Sequence, residues 1–422
     1  MPPGSPLFRS SDLGGGLAFH LHRTRAFKTV SARLVFHADL DAGTAARALL
    51  PRVLARGSRR YPSLREMQIE LDRLYGASLS GEARKIGERQ TVQFRSDWVT
   101  DRLAGTQLLR RMAEHIAETL REPARDARGG LRADVVAQER KILADESRAV
   151  YDDKTRYARH RLLDVMCRDE PFARPSIGRT GEIEALTAAD VEGAHEALVA
   201  RAPVDLFLVG DLSWGEGTRF ARAFGLHRRG APRRLRRTRT RAAGAPRTVR
   251  EKDAVSQAKL EMGFRTPIIL GHRLYAASVL MNALFGGTPI GKLFKVVREG
   301  ASLCYSIGSA MERSKGLLFV HAGIDAANYG KARRLILRQL DELKRGRIAP
   351  DAEEQARRMV SGALLSLRDS PGGLVDFALE RAIHGERADL QGLLRDLGAA
   401  RRSDIARAAA SVKLDTTFLL HG

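Results

Sequence analysis

Long apolar runs are missing from this sequence. Nothing in its 422 residues approaches the ~18 consecutive apolar positions of a membrane-spanning helix, so no integral membrane protein is expected. Cysteine is nearly absent: Cys167 and Cys304 alone cannot build a disulfide framework or a cysteine-based zinc site. Aromatic residues make up 6%, and no RNP-like aromatic strand, KH loop or zinc-finger spacing is present, which argues against specific nucleic-acid readout. Lysine is scarce too, 12 of the 72 basic residues, leaving 60 Arg against 50 Asp and Glu and a formal net charge of +22. What is present is an ordinary 43% of hydrophobic residues, which excludes disorder throughout. At roughly 100–200 residues per domain, the length predicts two domains. The opening Met1-Pro2-Pro3-Gly4-Ser5 runs into charged sequence without an apolar stretch, so a secretory signal is not expected and a cytoplasmic location is.

Period-two and helical patterns alternate along the first half. Strands are expected at 17–24, 29–38, 77–85, 90–96 and 204–209, the last closing the first sheet. Helices are expected at 42–55, 63–74, 100–120, within 134–166, and after a cap at 187–190. Residues 226–250 hold ten Arg, two Pro and two Gly, with Leu226, Leu235 and Val249 the only large apolar side chains. That composition reads as a solvated linker between a 1–225 unit and a 251–422 unit. The second unit restarts the series: strand 258–264, helix 274–285, a Gly286-Gly287 break, a helix to Arg298, strands 302–310 and 317–322, helix 328–344, helical sequence to Val412, and a strand at 416–420. Gly76-Ala77-Ser78-Leu79 recurs as Gly300-Ala301-Ser302-Leu303, 224 residues on, each glycine expected to end a helix before a strand. The shared element order implies an internal duplication.

Two similar α+β halves joined by a linker resemble, over most of the chain, the pitrilysin/insulinase-like zinc metallopeptidases, the inverzincins. The resemblance implies two tandem homologous α/β-sandwich halves, each a mixed, largely antiparallel sheet covered by helices, together half of a clamshell. In that family a helix after the opening strands carries H-x-x-E-H, two zinc ligands and the glutamate that activates the bound water. Here the helix reads Ala48-Leu49-Leu50-Pro51-Arg52. Counted back from Gly57-Ser58, Ala48 and Arg52 stand at the histidine positions and Pro51 at the glutamate position. Arg52 has no lone pair for a metal and would repel a dication. Pro51 is expected to kink or restart the helix. Glu139 and Glu146 share one face of a later helix, and the resemblance puts Glu146 at the distal zinc-ligand position. Without the histidines, Glu146 is expected to be an orphan on an exposed charged face. The segment 54–85 resembles zinc-less bacterial members. His20 and His22 share a strand face without a third ligand at supportive spacing, and no role is expected for them or for the other nine histidines.

The second half retains more. Its stretch from Arg298 to Ser306, with Tyr305 seven residues after Arg298, resembles the family's R-E-K-R-G-L-A-Y-S. The preceding residues 284–294 resemble its L-G-G-G-x-x-S-R-L-F. The resemblance implies that Arg298 and Tyr305 converge on one carbonyl and donate to the oxyanion formed as water attacks a peptide bond. By pattern alone, Arg298 is a surface cation and Tyr305 a half-buried aromatic. One half-site lost and the other retained resembles the non-catalytic subunit of heterodimeric members. The implied partner is a paralogue carrying H-x-x-E-H, the implied ligand a peptide, and zinc belongs to the partner, with no cofactor bound by this chain. Two other readings stand beside it: a nucleic-acid or ribosome-binding protein that uses the basic linker through salt-sensitive phosphate contacts, and a purely structural homodimeric scaffold.

Overall fold

Two sheets with one wiring plan organise the chain in the computed structural model, which describes residues 6–422. The Met1–Ser5 reading lies outside the described residues. The first half contains β1 (Arg9–Asp12), β2 (Leu17–Arg23), β3 (Thr29–Asp39), β4 (Ser78–Ile86), β5 (Arg89–Val99) and β6 (Val204–Gly210), paired in the order β1-β2-β6-β3-β5-β4. The second contains β7 (Arg247–Lys252), β8 (Ala258–Arg265), β9 (Cys304–Glu312), β10 (Leu317–Ile324) and β11 (Lys413–His421), in the order β7-β11-β8-β10-β9. Apart from β1, the strand order is identical. So is the sense of each pairing: β2–β6 and β7–β11 are parallel, and every other step is antiparallel. The chain is therefore α+β, two helix-covered halves related by duplication. No described helix is long and apolar enough to cross a membrane.

Several expectations need correction. β6 does not close its sheet but lies between β2 and β3; its nearly continuous apolar run is that of a strand buried on both faces. β1, Arg-Ser-Ser-Asp, has no apolar residue for alternation to reveal. The 100–120 helix is two, Asp101–Ala104 and Leu108–Arg121, because Gly105 turns left-handed at φ +67°. The helix Thr44–Leu54 runs on through Pro51 without restarting. Pro51 sits in the last turn, and its missing N–H leaves one carbonyl four residues back without its helical donor. Its ring packs where a Cβ on Gly81 of β4 would come within 2.5 Å of the Pro51 Cβ.

The tetrapeptide echo is also out of register. Gly76 is left-handed (φ +68°) and the Ala77 N–H closes on Leu71 O; in the second half Ser302 is left-handed (φ +51°) and the Leu303 N–H closes on Val297 O. Gly76 thus corresponds to Ser302, 226 residues on, the same shift that separates the starts of β4 and β9. The duplication is real, but the matching letters are offset from it by two.

Each half lends a helix to the other's sheet. Lys154–Met166, capped by Asp153, packs on β8 and β11, while Pro371–Ile383 packs on β3 and β6. Each crossing carries a strand–helix ion pair, with the sign reversed between them. Arg159 Nε donates to Glu261 Oε2 on β8 at 2.7 Å, and Arg33 on β3 pairs with Asp376. Burial pushes the Glu261 carboxyl up to about 7, with Arg159 pulling it back. A carboxyl with a raised folded-state pKa holds its proton more tightly than in the unfolded chain. Its contribution to stability is complete below the unfolded value, about 4.3, and is lost as pH rises through 7. Glu261→Gln is expected to flatten this decline in urea-unfolding curves collected between about pH 4 and pH 8.

The 226–250 stretch is less free than its composition suggests. Leu226 is buried in the first core. The Arg229 guanidinium donates to the carbonyls of Gly15, Val199 and Ala202, closing the C-terminal end of the helix Ala188–Arg201. The Arg236 N–H donates to Asp39 at 3.0 Å, and the Thr238 hydroxyl accepts from the Glu88 N–H at 3.1 Å. The last residues form β7. Arginine-rich composition precludes a core of its own, but not hydrogen bonding of the backbone to neighbours.

Beside this strap lies a buried charge network joining the halves. Lys315, in the β9–β10 turn, bonds Glu88 of the β4–β5 turn at 2.6 Å and Glu170 at 2.5 Å. Glu170 also bonds Arg265 at 2.6 Å, and Arg265 bonds Asp415 at 2.7 Å.

Candidate functional site

The helix Thr44–Leu54 packs against the long helix Ala133–Asp152, which brings the degenerate zinc-motif positions together. Ala48 and Pro51 face the core, Ala48 with 3% of its surface exposed. Arg52 faces the long helix and grips Glu146 with both ends of its guanidinium: Nη1 to Oε1 at 2.9 Å and Nη2 to Oε2 at 2.6 Å. One turn on, Arg56 pairs with Glu139, whose side chain is 5% exposed. Glu146 is therefore no orphan, and the Glu139 end of the face is buried, not solvated. A guanidinium fork matches a carboxylate in the way a metal would.

These residues do not fit zinc. A methyl group and a guanidinium stand at two ligand positions, and the remaining carboxylate is already neutralised. Among the described residues, no group of three or more His, Cys, Asp or Glu is arranged to hold a metal ion. The two ion pairs differ in consequence. Arg52→Ala leaves Glu146, half exposed, to water, and is expected to cost less than about 1 kcal/mol. Arg56→Ala strands the buried Glu139, and about 2 kcal/mol is expected. Urea unfolding of the two variants separates them.

Arg298 and Tyr305 belong to the second half, apart from this pairing. Arg298 ends the helical stretch Leu293–Gly300, exposed, with its guanidinium over the Phe294 ring at 4.5 Å. Tyr305 lies at the start of the edge strand β9 and is 79% exposed. Left-handed Ser302 makes the turn between them. Among the described residues, neither the Arg298 guanidinium nor the Tyr305 hydroxyl has a hydrogen-bond or carboxylate partner. Cys304 beside them is buried; burial raises its thiol pKa, and Arg298 opposes the shift.

Sequence reasoning missed a second polar group. His20 on β2, left without a role, bonds Asp205 on β6, Nε2 to Oδ1 at 3.0 Å, and its Nδ1 meets the Ser10 hydroxyl of β1 at 2.7 Å. His37 on β3 bonds the other oxygen of Asp205 at 2.7 Å. Burial favours a neutral Asp205, but hydrogen bonds and charge from the two histidines outweigh it and hold the carboxyl well below the usual range. No sequence spacing signals this cluster, since Asp205 lies 185 and 168 residues from the two histidines and meets them only through strand order.

The fold and the lost metal motif define an inactive metallopeptidase-like protein. The chain belongs to the pitrilysin/insulinase-like, or M16, peptidase family, as an inactive member. Residues 185–360 match the family model described as the peptidase M16 inactive domain. The chain is 32% identical over 414 residues to the "probable inactive metalloprotease YmfF" of Bacillus subtilis (strain 168), covering 97% of this chain and 96% of that one. Its fold is similar to a conserved protein from Enterococcus faecalis V583, with TM-score 0.91, 24% identity and 99% of both chains covered. It is also similar to a peptidase M16 inactive domain from Pseudomonas fluorescens, with TM-score 0.79, 16% identity and 98% of both chains covered.

Proposed function

We propose that this chain is the catalytically incomplete subunit of a heterodimeric zinc peptidase. It lends one wall of a closed chamber, with Arg298 and Tyr305, to a paralogue that carries H-x-x-E-H and the zinc. One contrast carries the reading. The guanidinium at the old metal position is fully engaged by Glu146, whereas among the described residues the exposed Arg298 guanidinium and Tyr305 hydroxyl have no hydrogen-bond or carboxylate partner. Donors held open in this way suit an oxyanion delivered by a peptide bound to the partner. The chain itself binds no zinc in this scheme. We place the complex in the cytoplasm, where the free thiols of Cys167 and Cys304 stay reduced.

Affinity purification of the full chain from its native cell is expected to recover a chain of similar length with H-x-x-E-H, carrying one zinc. Recovery of the chain alone, or only with copies of itself, overturns the reading and leaves the scaffold.

A further inference from the structure

Ser10, His20, Asp205 and His37 lie on four adjacent strands, β1-β2-β6-β3. An ionised carboxylate can only accept, so both imidazoles present N–H at Nε2 to Asp205. In the neutral ring with its single proton on Nε2, His20 Nδ1 accepts, and the Ser10 hydroxyl donates to it. This is the hydroxyl–imidazole–carboxylate order of an activated serine nucleophile.

Strand geometry supplies the missing donor. The Leu13 N–H donates to Leu17 O, which makes that pair a hydrogen-bonded one. In the same register, Ser11–Phe19 and Arg9–Leu21 are hydrogen-bonded pairs and Ser10–His20 is not. Side chains of such a pair stand closest together, which accounts for the short contact. The Ser10 N–H then points outward from the edge strand, where no described strand pairs it, next to its own Oγ. That is where an oxyanion donor is needed. Ser10, His20 and Asp205 line a cavity of about 810 Å³ whose other walls include Phe8, Ala378 and Ala382. Its apolar walls suit a short acyl chain.

We propose that Ser10 is the nucleophile of a second, metal-independent site that hydrolyses small acyl esters. Ser10 Oγ bonds to the acyl carbon as its proton passes to His20 Nδ1. The ester C–O bond breaks, and the leaving alcohol takes that proton. Water then attacks the acyl-serine with His20 as base, releasing a carboxylic acid and regenerating the hydroxyl. Asp205 is a positioning residue, and His37 keeps it ionised.

The test uses the full chain and p-nitrophenyl butyrate. A burst of nitrophenolate and a butyryl adduct on the Ser10 peptide in mass spectra are expected, both lost in Ser10→Ala and His20→Gln. Asp205→Asn is expected to slow acylation by roughly 10³–10⁴-fold and to shift its pH profile, which a purely structural aspartate would not do. Ser10 is exposed on an edge strand, so Ser10→Ala keeps the fold, checked by its unfolding transition. No adduct on Ser10, or nitrophenolate release that survives Ser10→Ala, overturns the proposal.

Discussion

Lys315→Met is expected to lower the unfolding free energy by about 3–5 kcal/mol, the cost of stranding a buried charge partner. The Lys315 side chain has no exposed surface, and it is the cation shared by Glu88 and Glu170, which are 10% and 2% exposed. Methionine fills the same volume and removes the charge, so both carboxylates lose a donor together. The loss reaches beyond the pair. Lys315 also donates to the Arg239 carbonyl, so the strap between the halves is released at the same point. Burial would raise the carboxyls of Glu170 and Asp415. Hydrogen bonds from Arg265 to both, from Lys315 to Glu170 and from the Thr416 hydroxyl to Asp415 hold them below their ordinary values instead. A depressed carboxylate stabilises the fold above its unfolded pKa, about 4, and that contribution is lost as pH falls through the folded value. The wild type should therefore weaken as the solution is acidified below about pH 4, and Lys315→Met should weaken less steeply there. Guanidinium unfolding across that range measures both effects. A loss under about 1 kcal/mol at neutral pH would show that the network is solvated, like an exposed pair.

Local physics explains which parts of the fold the sequence revealed. β2, β3, β5 and β8 were legible because each keeps an apolar face against helices, and the Thr187 cap because its side chain accepts from Asp190 N–H. The duplication was legible in element order, since the hydrophobic period follows the strand and helix order directly. What escaped depended on contacts between distant residues. The linker is held by Asp39 and Glu88, which no composition count can reveal. Pro51 remains helical because Gly81, thirty residues on, makes room for it. At the candidate site, the absence of the histidines was plain in the residues themselves. The Arg52–Glu146 fork was not, because reading Glu146 as an orphan left out the charge its own sequence had put opposite. The Ser10–His20–Asp205 chain lay deeper still, created by the insertion of β6 between β2 and β3.

In the complex with a zinc-bearing partner, Arg298→Ala is expected to reduce kcat for peptide hydrolysis by roughly 10²–10³-fold, the usual effect of removing one oxyanion donor. Tyr305→Phe should do the same to a smaller degree, because a neutral hydroxyl is a weaker donor than a guanidinium. The effect should fall on kcat more than on KM, since a donor aimed at the oxyanion acts on the transition state and not on the bound peptide. Zinc content and subunit association should stay unchanged. Neither side chain is buried, so neither substitution opens a cavity or leaves a buried group unpaired. Arg298→Lys separates charge from shape. A point charge retains attraction for the developing oxyanion but cannot offer the planar fork, so an intermediate kcat is expected. Equal kcat in wild type and in the Arg298→Ala/Tyr305→Phe double variant, at unchanged zinc content, would mean that the second half supplies only chamber wall. Loss of association in either variant would instead make these residues part of the subunit contact.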